Sequence, residues 1–485
     1  MELTKKVILN LNNIYKQYLF YDLETSGTNP SFDQILQFAG VKTDLSFNEI
    51  ERYEYRIKLR NDIVPEPGAL IVNRLNIDKI IEGQTEYEAV KEIQSILSSP
   101  GTINIGYNSI SFDDEFMRFN YFRNLLEPYA NQKFGCIRMD LLPITLMYYL
   151  FKKESMIWPN NNGKVNLKLE NLNDLNGLAD GMAHDAVVDV LATIEMAKRF
   201  KEFDPNMWEY LCGHFSKKQD YARIQNLEEG VFSDDLKCRK GFFIKNSFGY
   251  QNNCISGCLA IGKHQTRDQT YWLRLDSDDF TRHSSNNEIQ NALKKNIVKR
   301  KTGVPDFILP TKERYFELLS NEKRNMFDSN LNWLYNNFSE LIILKQDLIT
   351  FEYEDKKVEL DSSLYHRDFF TNKEKELFNH FHSLENPSDK IAFAETLEPG
   401  FGREMSIRIV GRNFYELLSE KLKNEYDLSI LKIIEDDLPD HLGRHRNTVD
   451  KAINNIRKIM SDPSRYDDEQ YDILKSYESY LLNKN

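Results

Sequence analysis

Over the first two hundred residues, apolar runs alternate with segments of helical periodicity. The run QYLFYDLE (17–24) is rich in aromatic and aliphatic residues and stops at a Thr-Ser-Gly turn, which predicts a buried strand. Further strands are predicted at 35–44 and 102–107. The predicted helices span residues 87–97, 139–152, 168–175 and 184–202. Because strands and helices interleave, residues 1–202 are predicted to form one α/β domain.

The pattern changes after Pro205. Short apolar runs (GFFIKN, CLAIG and TYWLRL) are separated by Gly, Asn and Asp, which predicts a small β-rich domain at residues 203–357. From about residue 360 the spacing is helical again, and Thr371 with Glu374 predicts a capping box. A second helix face is predicted from Phe414 through Leu417 and Leu418 to Leu422. Residues 358–485 are therefore predicted to form a helical C-terminal domain.

Composition supports a folded chain of several domains. The 485 residues include 41% hydrophobic and 28% charged residues, and a chain of this length usually exceeds a single core. No apolar run approaches the roughly 18 residues that cross a bilayer, so we expect a soluble, unexported, cytoplasmic protein without membrane partners. Five scattered cysteines fit reduced thiols, and Cys254 with Cys258 lacks the second ligand pair of a structural zinc site.

The charge leaves a nucleic-acid partner open. A formal net charge of −12 argues mildly against it, since phosphate binding requires a positive field. A groove needs only a local basic lining, however, and bound metal ions offset an acidic centre. The densest basic tract comprises Lys294, Lys295, Lys299, Arg300 and Lys301. It could follow a nucleic-acid backbone or could be a solvated surface.

Two acids stand at the end of the first predicted strand. Asp22 and Glu24 are two residues apart, so both carboxylates point to one face, with Cα atoms about 7 Å apart. Burying two like charges is costly unless a cation compensates, which makes a divalent metal one interpretation. The alternative is that these acids simply form a turn before Gly27.

Two later segments carry further candidate residues. Asp113 lies where a helix is predicted to follow the strand 102–107, a junction at which α/β sheets place ligands. Ser111 is predicted to cap this helix. His184 and Asp189 open the last helix of the domain and could face the same cleft. Taken alone, each of these two segments is better explained by structure: Asp113 by helix-dipole complementation with Asp114 and Glu115, and His184 by capping or surface exposure.

Together the three motifs match one pattern in order, setting and spacing. Their residues resemble the three exonuclease motifs of the DEDD superfamily, in its histidine-containing branch. Longer segments resemble the bacterial exodeoxyribonuclease I family: YDLETSGTNPSFDQILQFAG, PEPGALIVNRL, GYNSISFDDEFMR, RNLLEPYA, RMDLL, WPNNNG, LKLENL and AHDAVVDVLATIEMAK, with weaker likeness in LDSSLYHRDFF and GRNFYELL. The resemblance implies an RNase H-like exonuclease domain, an SH3-like β-rich domain and a helical C-terminal domain around a groove for single-stranded DNA.

The resemblance also implies a mechanism. Asp22, Glu24, Asp113 and Asp189 would hold two Mg²⁺ ions, with Mn²⁺ able to substitute, because oxygen ligands suit hard cations. One ion would activate a water and the other would stabilise the leaving 3′ oxygen. His184 would accept the proton from that water. The products of this 3′ to 5′ degradation would be nucleoside 5′-monophosphates.

The resemblance implies that Arg118, Tyr129 and Lys168 contact DNA. It implies that Glu24 contacts DNA as well as binding metal. Lys168 replaces an arginine, which removes the bidentate fork for phosphate. Ser26 stands where the family pattern has an aromatic residue. The family further implies a monomer that works in DNA repair and recombination with single-stranded DNA-binding protein.

Two other functions remain open. A 3′ exoribonuclease of the same superfamily would use the same chemistry, although such enzymes can be little more than the catalytic domain. A non-catalytic nucleic-acid-binding or scaffolding protein is the other, but all four acids and the histidine are present.

Overall fold

The computed structural model describes residues 14–161, 164–181, 185–350 and 357–484. The described residues group into two compact units. Unit I comprises residues 16–138, 179–194 and 357–484, and unit II comprises residues 14–15, 139–178 and 195–350, apart from the gaps already given. The predicted three-domain division at 202/203 and 357/358 stays a prediction.

The strands of the described residues lie mainly in the first 310 residues of the chain. They are β1 (Gln17–Thr25), β2 (Ile35–Asp44), β3 (Glu49–Arg56), β4 (Thr102–Gly106), β5 (Ile137–Asp140), β6 (Asn160–Asn161), β7 (Lys164–Val165), β8 (Glu229–Val231), β9 (Lys237–Ile244), β10 (Ile255–Lys263), β11 (Thr270–Arg274), β12 (Ile297–Arg300) and β13 (Phe307–Leu309).

The helices of the described residues occur throughout the chain and fill its last third. They are α1 (Pro67–Val72), α2 (Ile77–Ile80), α3 (Glu86–Leu97), α4 (Asp113–Arg123), α5 (Leu141–Phe151), α6 (Leu169–Asn176), α7 (Ala186–Phe203), α8 (Pro205–Cys212), α9 (Lys217–Gln225), α10 (Asn286–Lys295), α11 (Glu313–Phe316), α12 (Asn321–Asn336), α13 (Phe338–Ile349), α14 (Asn372–Ser383), α15 (Pro387–Thr396), α16 (Phe401–Phe414), α17 (Glu420–Asp436), α18 (Val449–Met460) and α19 (Asp468–Lys484). No helix among the described residues combines the length and apolarity needed to cross a membrane.

The mixed α/β fold predicted from the sequence is confirmed. The predicted strands and helices of the first 203 residues agree with the observed bounds to within two residues. Strand β3 was not predicted, because its sequence EIERYEYR is mostly exposed and lacks an apolar run. The capping box of Thr371 and Glu374 is confirmed at the start of α14.

Two predictions about helices were wrong. Ser111 does not cap α4: its hydroxyl bonds to the Asn108 carbonyl oxygen and side chain, and the helix begins after Phe112 without a side-chain cap. The face predicted from Phe414 to Leu422 is not one helix. Helix α16 ends at Phe414, and α17 begins at Glu420 after the Ser419 hydroxyl accepts a hydrogen bond from the Leu422 amide. In the first case the hydroxyl is used by a local hydrogen bond to Asn108, and in the second the Ser419 cap starts a new helix within the apolar spacing.

Strand β1 lies in the middle of a five-stranded sheet with the order β3-β2-β1-β4-β5. It pairs antiparallel with β2 and parallel with β4. Leu19, Tyr21 and Leu23 alternate along one face of β1 and join a core cluster with residues of α3 and α4. The opposite face carries Asp22 and Glu24, as the two-residue period of a strand requires.

The C-terminal helices of unit I pack on this α/β core. Phe119 and Phe122 of α4 share one apolar cluster with Phe378 of α14 and Met405 of α16. A second cluster joins residues of α1 and α2 to α18 and α19. Both clusters combine residues that are far apart in sequence, so the C-terminal segment contributes directly to the core of unit I.

A buried network of charges, here called the arginine network, lies among the same elements. Five arginines and four acids form it: Arg60, Arg123, Arg408, Arg412 and Arg446 with Asp62, Glu86, Glu359 and Asp361. Burial opposes ionisation of the Glu86 carboxyl, but Arg123 and Arg60 outweigh it and lower its pKa to about 2. The Glu86 carboxyl therefore remains charged across the physiological pH range.

Unit II contains the predicted β-rich region, with a second sheet of order β12-β11-β10-β9-β13 to which β8 adds beside β9. The predicted strands in GFFIKN, CLAIG and TYWLRL are confirmed as parts of β9, β10 and β11. Arg300 of the basic tract is only 2% exposed and its guanidinium lies 2.7 Å from Asp220. This residue supports the core of unit II and does not offer its charge to a ligand.

The arginine network generates a stability prediction. Asp361 is 1% exposed, and its carboxylate lies 2.8 Å from Arg412 and 2.9 Å from Arg408. Asp361→Asn leaves these cations short of an anion, so we expect unit I to lose about 3–5 kcal/mol of stability. Amide hydrogen exchange in α4 and α16 measures this loss.

The matched control is Asp472→Asn, which breaks an exposed pair with Lys475 on α19. An exposed pair contributes about 0–1 kcal/mol, so little change is expected. Equal protection in both variants would show that the arginine network does not stabilise unit I.

Candidate metal centre

Three carboxylates meet where β1 ends. Asp22 and Glu24 come from β1, and Asp189 comes from the first turn of α7. One oxygen of each lies within 4.8 Å of the others. Hard divalent cations prefer such oxygen ligands, so the donor set fits a metal of this class.

The electrostatics of this group favour a bound cation. Burial raises the pKa of Asp22 well above its usual range, and Asp113, Glu24 and Asp189 raise it further. Burial likewise raises the pKa of Glu24, with contributions from Asp189, Asp113 and Asp185. Without a cation, the carboxylates are therefore hard to ionise together, and a divalent ion removes that penalty.

Asp113 lies close to this group but outside it. It is the first residue of α4 and is 4% exposed. Its charge raises the pKa values of both Asp22 and Glu24. Its carboxylate nevertheless does not belong to the three whose oxygens lie within 4.8 Å of one another. The structure thus brings three of the four predicted metal ligands together and places the fourth beside them.

The third motif is only partly described. His184 lies outside the described residues, so its role as a proton acceptor stays a prediction. Asp185 follows it and was missed by the sequence reasoning. Its carboxylate accepts the Val187 amide at 3.0 Å, and its carbonyl oxygen accepts the Asp189 amide at 3.0 Å. An acid directly before an apolar helical run was the signal for this cap.

The loop after β1 is fixed by a buried acid. The Asp33 carboxylate accepts hydrogen bonds from the Asn29 amide at 2.8 Å and the Ser26 hydroxyl at 3.1 Å. Ser26 is fully buried, and a Cβ at Gly27 would meet the Asp33 carboxylate at 2.3 Å. The small hydroxyl side chain of Ser26 therefore helps to hold this turn closed.

Residues of the C-terminal segment hold the same loop from outside. The Arg444 guanidinium donates to the Asn29 side-chain oxygen at 3.1 Å. The Arg446 guanidinium lies over the Phe32 ring, 4.4 Å from its centroid. The loop that follows β1 is thus held in place by residues from the last third of the chain.

The predicted DNA-contacting residues occur in two settings. Arg118 is 5% exposed, forms an ion pair with Glu115, and lies 5.2 Å from the centroid of the Tyr129 ring. Its charge is therefore already partly compensated within unit I. Lys168 belongs to unit II, where its exposed ammonium lies 3.2 Å from Glu170. Substrate contact by these three residues stays a prediction.

Comparison with known proteins agrees with this site. A family model described as exonuclease matches residues 19–197, which include all four predicted metal ligands. Exodeoxyribonuclease I of Escherichia coli K12 is 37% identical over 211 residues, 43% of this chain and 44% of that protein. The match thus spans less than half of that relative's length. Exodeoxyribonuclease I of Buchnera aphidicola from Schizaphis graminum is 26% identical over 99% of this chain and 97% of its own length.

Solved structures share the fold over nearly the whole chain. E. coli exonuclease I in complex with a dA16 oligonucleotide has a TM-score of 0.82 at 22% identity, covering 97% of this chain and all of that one. SSB/exonuclease I crystallised with an inhibitor has a TM-score of 0.78 at 22% identity, over 97% of this chain and 100% of that one. Residues 19–197 are thus similar to the exonuclease family, and the chain shares the fold of bacterial exonuclease I over nearly its whole length.

Proposed function

We propose that the chain is a metal-dependent exonuclease that degrades single-stranded DNA from the 3′ end and releases nucleoside 5′-monophosphates. The observation that carries this proposal is the meeting of Asp22, Glu24 and Asp189 within 4.8 Å at the end of β1. Such a cluster suits phosphodiester hydrolysis when it holds a divalent cation. The scissile phosphate is an anion, which the cation attracts and which carboxylates alone would repel. The relatives named exodeoxyribonuclease I support the choice of DNA as the substrate.

Each residue has a proposed task. Asp22, Glu24, Asp113 and Asp189 hold two Mg²⁺ ions, with Mn²⁺ as a substitute, and Glu24 also contacts the terminal nucleotide. When bound, the metal supplies charge stabilisation and lowers the pKa of water. His184 accepts the proton of the attacking water, as an imidazole with a pKa near neutrality can. Arg118 and Lys168 contact phosphates, and Tyr129 stacks on a base.

We further propose a monomer that works in DNA repair and recombination beside single-stranded DNA-binding protein. One chain brings Asp22, Glu24 and Asp189 together, and SSB has been crystallised with exonuclease I of the same fold. A cytoplasmic setting is supported by the five cysteines, which are all buried free thiols. Light scattering of the protein with and without SSB tests the monomer and the complex separately.

The first test concerns the metal ligands. Asp22→Asn is expected to abolish Mg²⁺-dependent cleavage of a 3′-labelled single strand, because it removes a ligand and one charge. The same change relieves repulsion, so the metal-free variant should unfold at a higher temperature than the wild type. Thermal unfolding with and without Mg²⁺ measures both effects. The exposed Asp174→Asn is the matched control, and substantial Mg²⁺-dependent cleavage by Asp22→Asn would refute the ligand assignment.

The raised pKa values also predict the pH dependence of stability. Burial and the neighbouring acids raise the pKa of Glu24 above its unfolded value, so the folded state binds more protons. Stability of the metal-free protein should then fall as pH rises above the ordinary carboxyl range of about 4. Saturating Mg²⁺ should remove much of this loss. A metal-free melting temperature that does not fall between pH 5 and 8 would contradict this electrostatic picture.

The third test concerns the form of the substrate. A site that accepts one strand should cut single-stranded DNA much faster than a blunt duplex with the same 3′ end. Binding should weaken with added salt, because phosphate contacts release condensed counterions. Parallel digestion of single-stranded DNA, blunt duplex and RNA measures the preference. Equal rates on the single strand and the duplex would refute it, and faster cleavage of RNA would indicate an exoribonuclease.

The fourth test separates catalysis from capping at His184. Removal of a general base lowers the rate by roughly 10²- to 10⁴-fold with binding nearly intact. A histidine with only a structural role at the start of α7 would instead contribute about 1 kcal/mol of stability, and its loss would preserve turnover. Single-turnover cleavage and thermal unfolding of His184→Ala distinguish these roles. Near-normal turnover would exclude His184 as the proton acceptor.

A further inference from the structure

A fully buried carboxylate lies next to the candidate metal ligand Asp113. The Asp114 side chain is 0% exposed and accepts three hydrogen bonds. The Tyr21 hydroxyl donates to its Oδ1 at 2.7 Å and the Asn131 amide donates to the same oxygen at 2.6 Å. The Arg138 guanidinium donates to its Oδ2 at 2.6 Å. This set of four side chains is called the Asp114 anchor.

The Asp114 anchor holds the first turn of α4 in place through its carboxylate, although it does not cap the helix amides. The N-cap residue Phe112 has φ −127° and ψ −76°, and no side chain caps the first turn. An uncapped end usually frays, because its amides lack partners. Here Asp114 instead ties the first turn to β1 through Tyr21, to the 130–132 turn through Asn131, and to β5 through Arg138.

The two residues joined by the Tyr21–Asp114 hydrogen bond are each next in sequence to a proposed metal ligand. Tyr21 precedes Asp22 on β1, and Asp114 follows Asp113 on α4. Successive residues of a strand point to opposite faces, so Tyr21 is directed away from the carboxylate cluster and towards α4. The Tyr21–Asp114 bond therefore fixes the separation between two backbone segments that carry metal ligands.

The charges in the anchor explain why an acid is used. The charge of Asp113 raises the pKa values of Asp22 and Glu24, so repulsion among these acids acts to separate the first turn of α4 from β1. A charged carboxylate bonded to an arginine and two neutral donors makes stronger hydrogen bonds than an amide would. The anchor thus opposes the repulsion at the point where it acts.

We propose that Asp114 and Tyr21 are positioning residues that hold Asp113 at the metal centre. This inference rests on the proposed metal-dependent function, in which Asp113 is a ligand. It assigns no ligand role to Asp114, whose two oxygens are engaged by the anchor. Loss of the anchor should leave the fold intact and weaken the metal site.

The test measures Mn²⁺ affinity by electron paramagnetic resonance in the full-length protein, without DNA. Tyr21→Phe removes only the hydroxyl and no charge, and Asp114→Asn removes the charge that pairs with Arg138. Losing a residue that orients a ligand typically weakens metal affinity or activity 10- to 100-fold, so we expect both variants to bind Mn²⁺ at least about 10-fold more weakly. Amide exchange at the start of α4 should accelerate in both.

Tyr121→Phe is the matched control. Its buried hydroxyl lacks a hydrogen-bond partner among the described residues and lies in the same core cluster as Tyr21. This variant should bind Mn²⁺ as the wild type does. If Asp114→Asn does not fold, the Mn²⁺ affinity of Tyr21→Phe alone tests the proposal. A folded Tyr21→Phe protein with wild-type Mn²⁺ affinity and unchanged exchange at α4 would overturn the proposal.

Cleavage assays keep this result separate from the proposed function. Wild-type protein that binds Mn²⁺ but cuts no DNA would refute the nuclease, while weaker Mn²⁺ binding by Tyr21→Phe would still support the anchor. Wild-type cleavage together with normal Mn²⁺ binding by Tyr21→Phe would refute the anchor and leave the nuclease standing.

Discussion

Mutual repulsion of the carboxylates at the end of β1 is the constraint on which unit I is built. Asp22, Glu24 and Asp189 approach within 4.8 Å, and burial makes their joint ionisation more costly still. A flexible scaffold would relax by separating them. Strand β1 cannot move aside, because it is paired on both edges and packed by its apolar face. The acids therefore stay close together, and either protonation or a bound cation would reduce their repulsion.

The scaffold that holds these acids extends far along the chain. Arg444 contacts Asn29 across 415 residues of sequence, and Arg408 and Arg412 meet Asp361 in the arginine network. Buried ion pairs seldom add much net stability, but removing one partner is costly. The network therefore ties α16 to the Asp62 segment through Arg412. This explains how a segment that supplies none of the proposed metal ligands can still determine the geometry of the loop after β1.

Sequence periodicity predicted the strands and helices that bury an apolar face, including β1, β2 and α7. It missed β3, whose residues are largely exposed, and it joined Phe414 to Leu422 across a real helix break. The D-x-E motif predicted the convergence of Asp22 and Glu24, because strand geometry is local. Tyr21, Asn131 and Arg138 could not be assigned to Asp114 in this way, since their partnership depends on long-range packing that spacing does not encode.

The local charges bear on the DNA substrate proposed for this acidic protein. Arg118 is paired with Glu115 and Arg138 with Asp114, so two cations near the site are already compensated by the protein itself. The carboxylate cluster then repels a phosphate unless a metal is bound. Because linkage is reciprocal, a metal that strengthens DNA binding must itself bind more tightly in the presence of DNA. A net charge of −12 is consequently compatible with a DNA substrate, provided that metal and phosphate are bound as a coupled pair.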